Sequence, residues 1–387
     1  MRLPSLPIAP ALVRQPGATH GWRVAGATVA SVAIALALSA GLIAWTGDSP
    51  IASARAIYDG SVASQDAWTT TLLYVAPLLL VAVGSCISSS AGVFNIGQEG
   101  QVMIGALTGA WVGLRLAISG PVLLVLVALA AAVGGAMWAG LCALMHRTRG
   151  VNVVVSTLLM TFIAAQVVSY AVNTSWFLQE SRMNGGLVSS ESNQLPSAAR
   201  LGSFGHYPDL RINGGLIIAL VAAAVVALLL ARSRWGFRLR LRGLNPRVAQ
   251  HAGVRVVALG AIALMISGAF AGLAGMVLLT TPVGTNRLQP NISGNIGWDG
   301  LLVALVARQR PVVAIPVALL FGALRSGGGF LAATGVPPYL VDVVKSLLVL
   351  AFVLPGVLVT MLDRRTRAAR STRSVTSRAV VTNEVVA

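Results

Sequence analysis

The sequence predicts an all-α, polytopic membrane protein with about ten transmembrane helices, arranged as two inverted repeats of five helices. Three observations carry this prediction: the composition, the length of the apolar runs and a motif that occurs twice. Of the 387 residues, 56% are hydrophobic and 10% are charged, and the mean hydropathy is +0.80. A soluble domain has roughly 45–50% apolar and about 25% charged residues, so the composition excludes an ordinary soluble protein.

The apolar runs are long enough to cross a bilayer, which takes roughly 20 residues per helix. The first run is longer than the roughly 7–15 apolar residues of a signal peptide, so it is expected to be a membrane span. The eighth run is short and is expected to be broken or re-entrant. The ten expected spans cover residues 22–46, 69–90, 94–116, 121–145, 151–174, 213–231, 256–280, 297–308, 311–331 and 339–362.

The charges alternate with these spans. The chain has 28 basic and 11 acidic residues, and 20 of the basic ones fall on the side of the membrane that holds the N-terminus. The positive-inside rule places that side, and both termini, in the cytoplasm. The net charge of +17 is therefore explained by the orientation of the chain in the lipid bilayer, and no nucleic-acid partner is expected. The expected domains are a cytoplasmic segment at 1–21, the transmembrane domain at 22–362 and a disordered basic tail at 363–387.

A six-residue motif of the form Asn-Ile-Gly-x-acid-Gly occurs at 95–100 and again at 295–300. Each copy lies between the second and third spans of a five-span block, which gives half-repeats at about 22–174 and 213–362. Five spans per half imply opposite orientations, and inverted repeats of this kind build transport pathways at interrupted helices. The residues expected to line a substrate pathway are Asn95, Gln98, Glu99, Gln101, Asn295, Trp298 and Asp299.

Charged side chains within the spans are costly and usually have a partner or a task. Glu99 and Asp299 are expected either to bind polar groups of a substrate or to cap helix N-termini, and the sequence favours neither role. Arg115 and Arg325 lie toward the ends of their spans, where long side chains can reach water. Glycines spaced by four residues, at Gly105 and at Gly268, are expected to form close helix contacts.

The basic loop at 232–255 contains the signals of a short helix outside the membrane. Asn245 is a good N-cap, Pro246 suits the first helical position and Gly253 can end the helix. Such a helix is expected to dock into a groove of a partner, although a plain positive loop would satisfy the topology equally. The docking residues are expected to be Gly243, Asn245, Pro246, Arg247, Gln250 and Gly253.

Signatures of catalysis are missing from the sequence. The only lysine, Lys345, has no phosphate-binding G-x-x-x-x-G-K motif around it, and neither G-x-S-x-G nor H-E-x-x-H occurs. Cys86 and Cys142 lie in apolar runs and suggest neither a disulfide framework nor a metal site. The chain is therefore not expected to be an enzyme or to bind a metal or a cofactor.

Four segments resemble a known family. Residues 243–254, which read Gly-Leu-Asn-Pro-x-x-Ala-x-x-Ala-Gly-Val, are similar to the coupling helix of ABC-importer permeases in the branched-chain amino acid/ribose permease superfamily. Residues 94–101, 297–301 and 321–328 resemble motifs of its nucleoside and simple-sugar branch. The resemblance extends over residues 70–360.

The resemblance implies the permease subunit of a bacterial importer in the cell membrane, which moves a nucleoside or simple sugar by alternating access. It implies a separate ATPase subunit that uses ATP, a second permease in a heterodimer and an extracytoplasmic substrate-binding lipoprotein, with the outer loop at 175–212 as its docking surface. An ion-gradient-driven secondary transporter of a small polar solute is the alternative, because inverted repeats suit it equally well.

Overall fold

The computed structural model describes residues 18–47, 49–118, 120–181, 189–205, 210–281 and 285–333, together with short stretches between 342 and 355. The described part is built of helices, apart from a two-residue hairpin. The predicted N-terminal segment, the tenth span and the basic tail lie largely or wholly outside the described residues. The helices are α1 (Ala18–Trp45), α2 (Pro50–Ser61), α3 (Gln65–Ser90), α4 (Gln98–Arg115), α5 (Pro121–Arg149), α6 (Val153–Asn173), α7 (Gly214–Arg232), α8 (Arg234–Leu244), α9 (Pro246–His251), α10 (Val256–Thr280), α11 (Ile296–Val306) and α12 (Pro311–Ala333).

The chain forms two compact units, one of residues 1–47 and 342–387 and the other of residues 48–341. Helix α1 is the main described element of the first unit, and about half of its residues from Gly26 to Trp45 are exposed. The second unit contains α2 to α12. It also contains the small antiparallel hairpin, in which β1 (Ser203–Phe204) pairs with β2 (Ile212–Asn213).

Among the helices that the structure describes, seven are long and apolar enough to cross a membrane: α1, α3, α5, α6, α7, α10 and α12. Helix α4 occupies the predicted third span and is almost entirely buried by other helices, so its lower hydropathy is tolerated. Helix α11 occupies the predicted eighth span but has 11 residues, which gives about 16 Å at 1.5 Å per residue. This is about half of the roughly 30 Å hydrocarbon core, so α11 alone does not cross it. The total of ten spans stays a prediction.

The core of the second unit is formed by α3, α4, α5 and α10, which pack closely through small residues. A Cβ atom added to Gly105 of α4 would lie 2.3 Å from the Cα atom of Gly272 in α10. One added to Gly135 of α5 would lie 2.2 Å from the carbonyl oxygen of Gly268. The predicted close helix contacts at these glycine stripes are confirmed, and the three backbones meet without side chains between them.

Short polar side chains begin several of the helices, because they satisfy amide groups that the first turn leaves open. Asn152 accepts a hydrogen bond from the amide of Val154 at the start of α6, over 2.9 Å. Asn213 does the same for Gly215 at the start of α7, over 2.7 Å. Helix α5 ends at Gly150, whose φ of +66° gives a left-handed C-cap.

Candidate functional site

The first copy of the repeated motif lies in a buried polar cluster, which we define as Ser85, Asn95, Gln98, Gln101 and Ser267. The Asn95 side chain donates hydrogen bonds to Gln101 Oε1 over 2.8 Å and to Ser267 Oγ over 3.0 Å. Gln98 donates to Ser267 Oγ over 3.2 Å and accepts a hydrogen bond from the Ser85 hydroxyl over 2.6 Å. None of the five side chains is more than 1% exposed. The cluster therefore fixes the chain just before α4 against α3 and α10.

We expect Ser267→Ala to destabilise this cluster. The Ser267 hydroxyl is the common acceptor for Asn95 and Gln98, and its removal leaves two buried amide donors without that acceptor. A buried polar group that loses its partner costs about 1–3 kcal/mol. The thermal unfolding of the purified variant in detergent measures the effect, with the exposed Ser190→Ala as the control. An unchanged melting temperature for Ser267→Ala would contradict the prediction.

The two copies of the motif meet through Glu99. This side chain lies in the first turn of α4, yet its carboxylate accepts hydrogen bonds from the backbone amides of Asn295 over 3.1 Å and Gly297 over 2.7 Å. Glu99 therefore caps the N-terminus of α11, the helix of the other copy. A Cβ atom on Gly297 would lie 2.3 Å from the Cα atom of Glu99, so only glycine permits this approach.

Asp299 follows in the first turn of α11 and forms an ion pair with Arg325 of α12, over 3.0 Å. The same guanidinium donates to the carbonyl oxygen of Gly294 over 2.5 Å and lies 5.2 Å from the ring centroid of Tyr74. The Arg325 side chain, which the sequence places where it can reach water, keeps 20% exposure. Its guanidinium is nevertheless bound within the fold by a neighbouring carboxylate.

The remaining predicted pathway residues are more accessible than the buried cluster. Asn295 is exposed and has a φ of +71°, while Trp298 is half-buried. The structure thus brings all the predicted pathway residues to one region, where α3, α4, α10 and α11 meet.

Arg115, the other arginine at a span end, is not one of the predicted pathway residues. It is exposed and donates to the carbonyl oxygens of Trp176 and Phe177.

The predicted short helix in the basic loop is confirmed as α9. The Asn245 side chain accepts hydrogen bonds from the amides of Arg247 over 3.0 Å and Val248 over 3.2 Å, and Pro246 is the first helical residue. Pro246, Arg247 and Gln250 are exposed. Gly253, with a φ of +78°, follows the helix and turns the chain toward α10.

Arg242 connects this loop to the rest of the fold, and the sequence analysis missed it. Its guanidinium donates to the carbonyl oxygen of Ala91, at the end of α3, and to that of Val256, at the start of α10. Next to it, a Cβ atom on Gly243 would lie 2.4 Å from the carbonyl oxygen of Ser90. Burial lowers the pKa of Arg242 below its usual value. The only sequence signal was one more arginine in a basic loop.

Within the described ranges, no three His, Cys, Asp or Glu side chains lie close enough together to hold a metal ion.

Residues 68–353 match the family described as branched-chain amino acid transport system / permease component. The chain is similar to the glucose ABC transporter permease protein TsgB13 of Haloferax volcanii, with 30% identity over 85% of this chain and 87% of that protein. It is 28% identical to the guanosine ABC transporter permease protein NupP of Bacillus subtilis, over 85% of this chain and 93% of that protein. A second guanosine permease protein of that organism, NupQ, is 29% identical over 66% of this chain and 79% of its own length. No solved structure matches the chain significantly.

The family match covers most of the chain and the similar proteins are matched over most of their lengths, which agrees with the apolar helices described above. The chain belongs to the family of branched-chain amino acid transport system permease components, and it is a multi-pass ABC transporter permease rather than a catalytic subunit.

Proposed function

We propose that this chain is the permease subunit of an ABC importer that translocates a nucleoside or a simple sugar by alternating access. The observation that carries the proposal is the family match over residues 68–353, together with similarity to permeases named for glucose and guanosine. Both of these names denote neutral solutes with several hydroxyl groups. Such solutes are recognised by hydrogen bonds from a few placed polar groups within an otherwise apolar site.

The substrate would pass the region where the two motif copies meet. Asn295 is exposed and Trp298 is half-buried there, beside the Asp299–Arg325 ion pair. An amide, an indole ring and an ion pair supply hydrogen bonds and a stacking surface for a sugar or a base. Glu99 holds α11 in place for this contact, so Glu99→Ala and Asp299→Ala are both expected to weaken transport.

The inverted repeat is part of the same proposal. The two motif copies begin α4 and α11, and the acid of the first copy binds the helix start of the second. In transporters with inverted repeats, irregular segments near the bilayer midplane lie between halves that rock against each other. The hydrogen bonds of Glu99 and the short α11 support such an arrangement in this chain.

The proposed topology has ten spans with both termini in the cytoplasm. Helices α8 and α9, together with the end of α5, would then face the cytoplasm, because their loops hold most of the arginines between the spans. Helix α9 would receive the push of a separate ATPase subunit that binds and hydrolyses ATP.

The proposed route for this push runs through Arg242 and Gly243. Arg242 binds the end of α3 at Ala91, and Gly243 touches the backbone at Ser90. Asn95 of the buried polar cluster lies four residues after Ala91. A displacement of α9 would therefore be transmitted to the first motif copy, because the backbone contacts between them are closely packed.

We expect Pro246→Ala and Arg247→Ala to uncouple ATP hydrolysis from uptake. Both side chains are exposed on α9, so their loss leaves the packed core intact but changes the surface offered to the ATPase. The ratio of substrate imported to ATP hydrolysed is expected to fall at least about fivefold in proteoliposomes, which corresponds to about 1 kcal/mol of coupling. Arg149→Ala, an exposed arginine at the end of α5, is the matched control. Normal ratios in both α9 variants would contradict a coupling role.

The proposed partners are the ATPase, a second permease and an extracytoplasmic substrate-binding lipoprotein. Similarity to both NupP and NupQ of one organism supports a pairing of two different permeases. The loop between α6 and α7 would offer the docking surface for the lipoprotein. Arg287 fixes part of this loop through ion pairs with Glu180 and Glu191.

Uptake into proteoliposomes tests the function directly. The permease, its ATPase and its second permease are reconstituted, and labelled glucose and guanosine are offered together with the lipoprotein. ATP is supplied on the side of the vesicle membrane that carries the ATPase. Import of glucose or guanosine that requires this ATP supports the proposal. Uptake that continues without ATP but collapses with the ion gradient would instead indicate a secondary transporter.

A further inference from the structure

A groove of about 470 Å³ lies at the junction of α7 and α8. Its wall is lined by arginines from the last turn of α7 and from successive turns of α8, and by a few apolar side chains such as Phe237 and Leu241. The four arginines are Arg232, Arg234, Arg238 and Arg240. All four are exposed. The groove therefore combines a dense positive charge with an apolar surface.

The sequence around the groove supplies no acidic side chain to neutralise this positive charge. Residues 210–298 contain no Asp or Glu at all, while they contain nine arginines. Among the residues that the structure describes, none of the four groove arginines forms an ion pair or a side-chain hydrogen bond. Arg242, one turn further along α8, shows the contrast, because backbone carbonyls bind it inside the fold. The groove is thus complementary to an anion that the described residues do not supply.

The position of the groove relative to the apolar helices indicates where the anion comes from. Helix α7 is apolar from Leu216 to Ala231, and Val221, Val225 and Leu228 of this helix are between 49% and 58% exposed. In a membrane protein such a face contacts lipid acyl chains. The exposed row leads along α7 directly to Arg232 and the groove, which places the arginines at the level of lipid headgroups.

The tight junction between α7 and α8 keeps the arginines of the groove close together. Ser233 caps α8 by accepting a hydrogen bond from the amide of Gly236 over 2.9 Å. A Cβ atom on Gly236 would lie 2.5 Å from the carbonyl oxygen of Leu229, so α8 folds back tightly against α7. The fully buried Leu239 anchors the other face of α8. The guanidinium groups are thus carried on a fixed backbone.

We propose that this groove binds the headgroup phosphate of an anionic phospholipid, with the acyl chains lying along the exposed apolar face of α7. Guanidinium groups bind phosphate oxygens through paired hydrogen bonds. Phe237, which is 60% exposed in the groove, provides an apolar surface for the glycerol and upper acyl region. Ala252 and Val254, which follow α9, line one side of the groove, whereas none of the α9 residues Pro246–His251 does. The site does not depend on which substrate the permease carries.

The test compares two matched double variants of the full chain, purified with its partner subunits in detergent. Arg238→Gln/Arg240→Gln removes two charges from the groove. Arg147→Gln/Arg149→Gln removes two exposed charges from the end of α5, which lies at the same end of the fold because His146 and Arg242 line one small cavity there. Binding of fluorescent phosphatidylglycerol and of fluorescent phosphatidylcholine is titrated for each protein.

We expect the wild type to bind phosphatidylglycerol at least tenfold more tightly than phosphatidylcholine. The groove variant is expected to lose this preference, while the α5 variant keeps it within twofold. Arg238→Lys/Arg240→Lys retains the charges and is expected to keep a preference for phosphatidylglycerol over phosphatidylcholine, a result that does not depend on the folding of the glutamine variant.

Three results would overturn the proposal. Equal losses in the groove and α5 variants would show that only diffuse charge matters. Unchanged lipid binding in the groove variant, with loss of the co-purified ATPase, would assign the arginines to the protein partner. Complete displacement of the lipid by millimolar inorganic phosphate would indicate a site for a soluble anion.

Discussion

Arg325→Met is expected to destabilise the protein by about 3 kcal/mol and to reduce uptake at least tenfold. The substitution removes the ion-pair partner of Asp299, the hydrogen bond to the carbonyl oxygen of Gly294 and the contact with Tyr74. Removing one member of a buried pair typically costs about 3–5 kcal/mol. The lower end applies here because both side chains keep some exposure.

The double variant Asp299→Asn/Arg325→Met distinguishes the ion pair from simple packing. It removes both charges, so it is expected to recover about half of the lost stability, because no charge is then left without its partner. Arg310→Met, at an exposed position just before α12, is the control and is expected to melt like the wild type. A double variant that melts no higher than Arg325→Met would show that the pairing is not the cause.

Gly297→Ala is expected to give the second large effect. The new methyl group would lie 2.3–2.4 Å from the Cα and N atoms of Glu99. These are backbone atoms, so a side-chain rotation cannot relieve the clash. The start of α11 must shift away from α4, which weakens the hydrogen bonds of the Glu99 carboxylate. Overpacking of this kind costs about 1–3 kcal/mol, and uptake is expected to be nearly abolished.

The matched control is Gly329→Ala, also a helical glycine but one with no atom within 4 Å of the added Cβ. Alanine is the better helix former by about 0.5–1 kcal/mol, so this variant is expected to be as stable as the wild type or slightly more stable. Melting temperature and uptake are measured for both. Wild-type behaviour of Gly297→Ala would show that the two motif copies are not held at this distance.

Local features were predicted well from the sequence. The cap at Asn245, the proline after it and the glycine at 253 defined α9 correctly, because these signals act within one or two helical turns. The glycine stripes of α4 and α10 were recognised as contact faces for the same reason. Within the described part of the chain, the apolar runs match seven helices that are long and apolar enough to cross a membrane.

The contacts that join distant parts of the chain were not predictable. Both acids of the motif were expected to bind substrate or to cap helices, but the helix that Glu99 caps begins nearly 200 residues later. Arg325 was interpreted from its place within its own span, whereas Asp299, on another helix, determines its environment. Arg242 looked like any other loop arginine until Ala91 and Val256 were seen beside it. Spacing along one helix carries no information about which helix will pack against it.

The capping of α11 by Glu99 has a consequence for how the protein is made. Backbone amides at the start of a helix need acceptors, and the interior of a bilayer supplies none. The amides of Asn295 and Gly297 therefore gain their acceptor only after α4 has placed the Glu99 carboxylate beside them. Synthesis from the N-terminus provides this order, since α4 leaves the ribosome long before Asn295 does. The second half of the chain, produced without the first, would lack this acceptor at the start of α11.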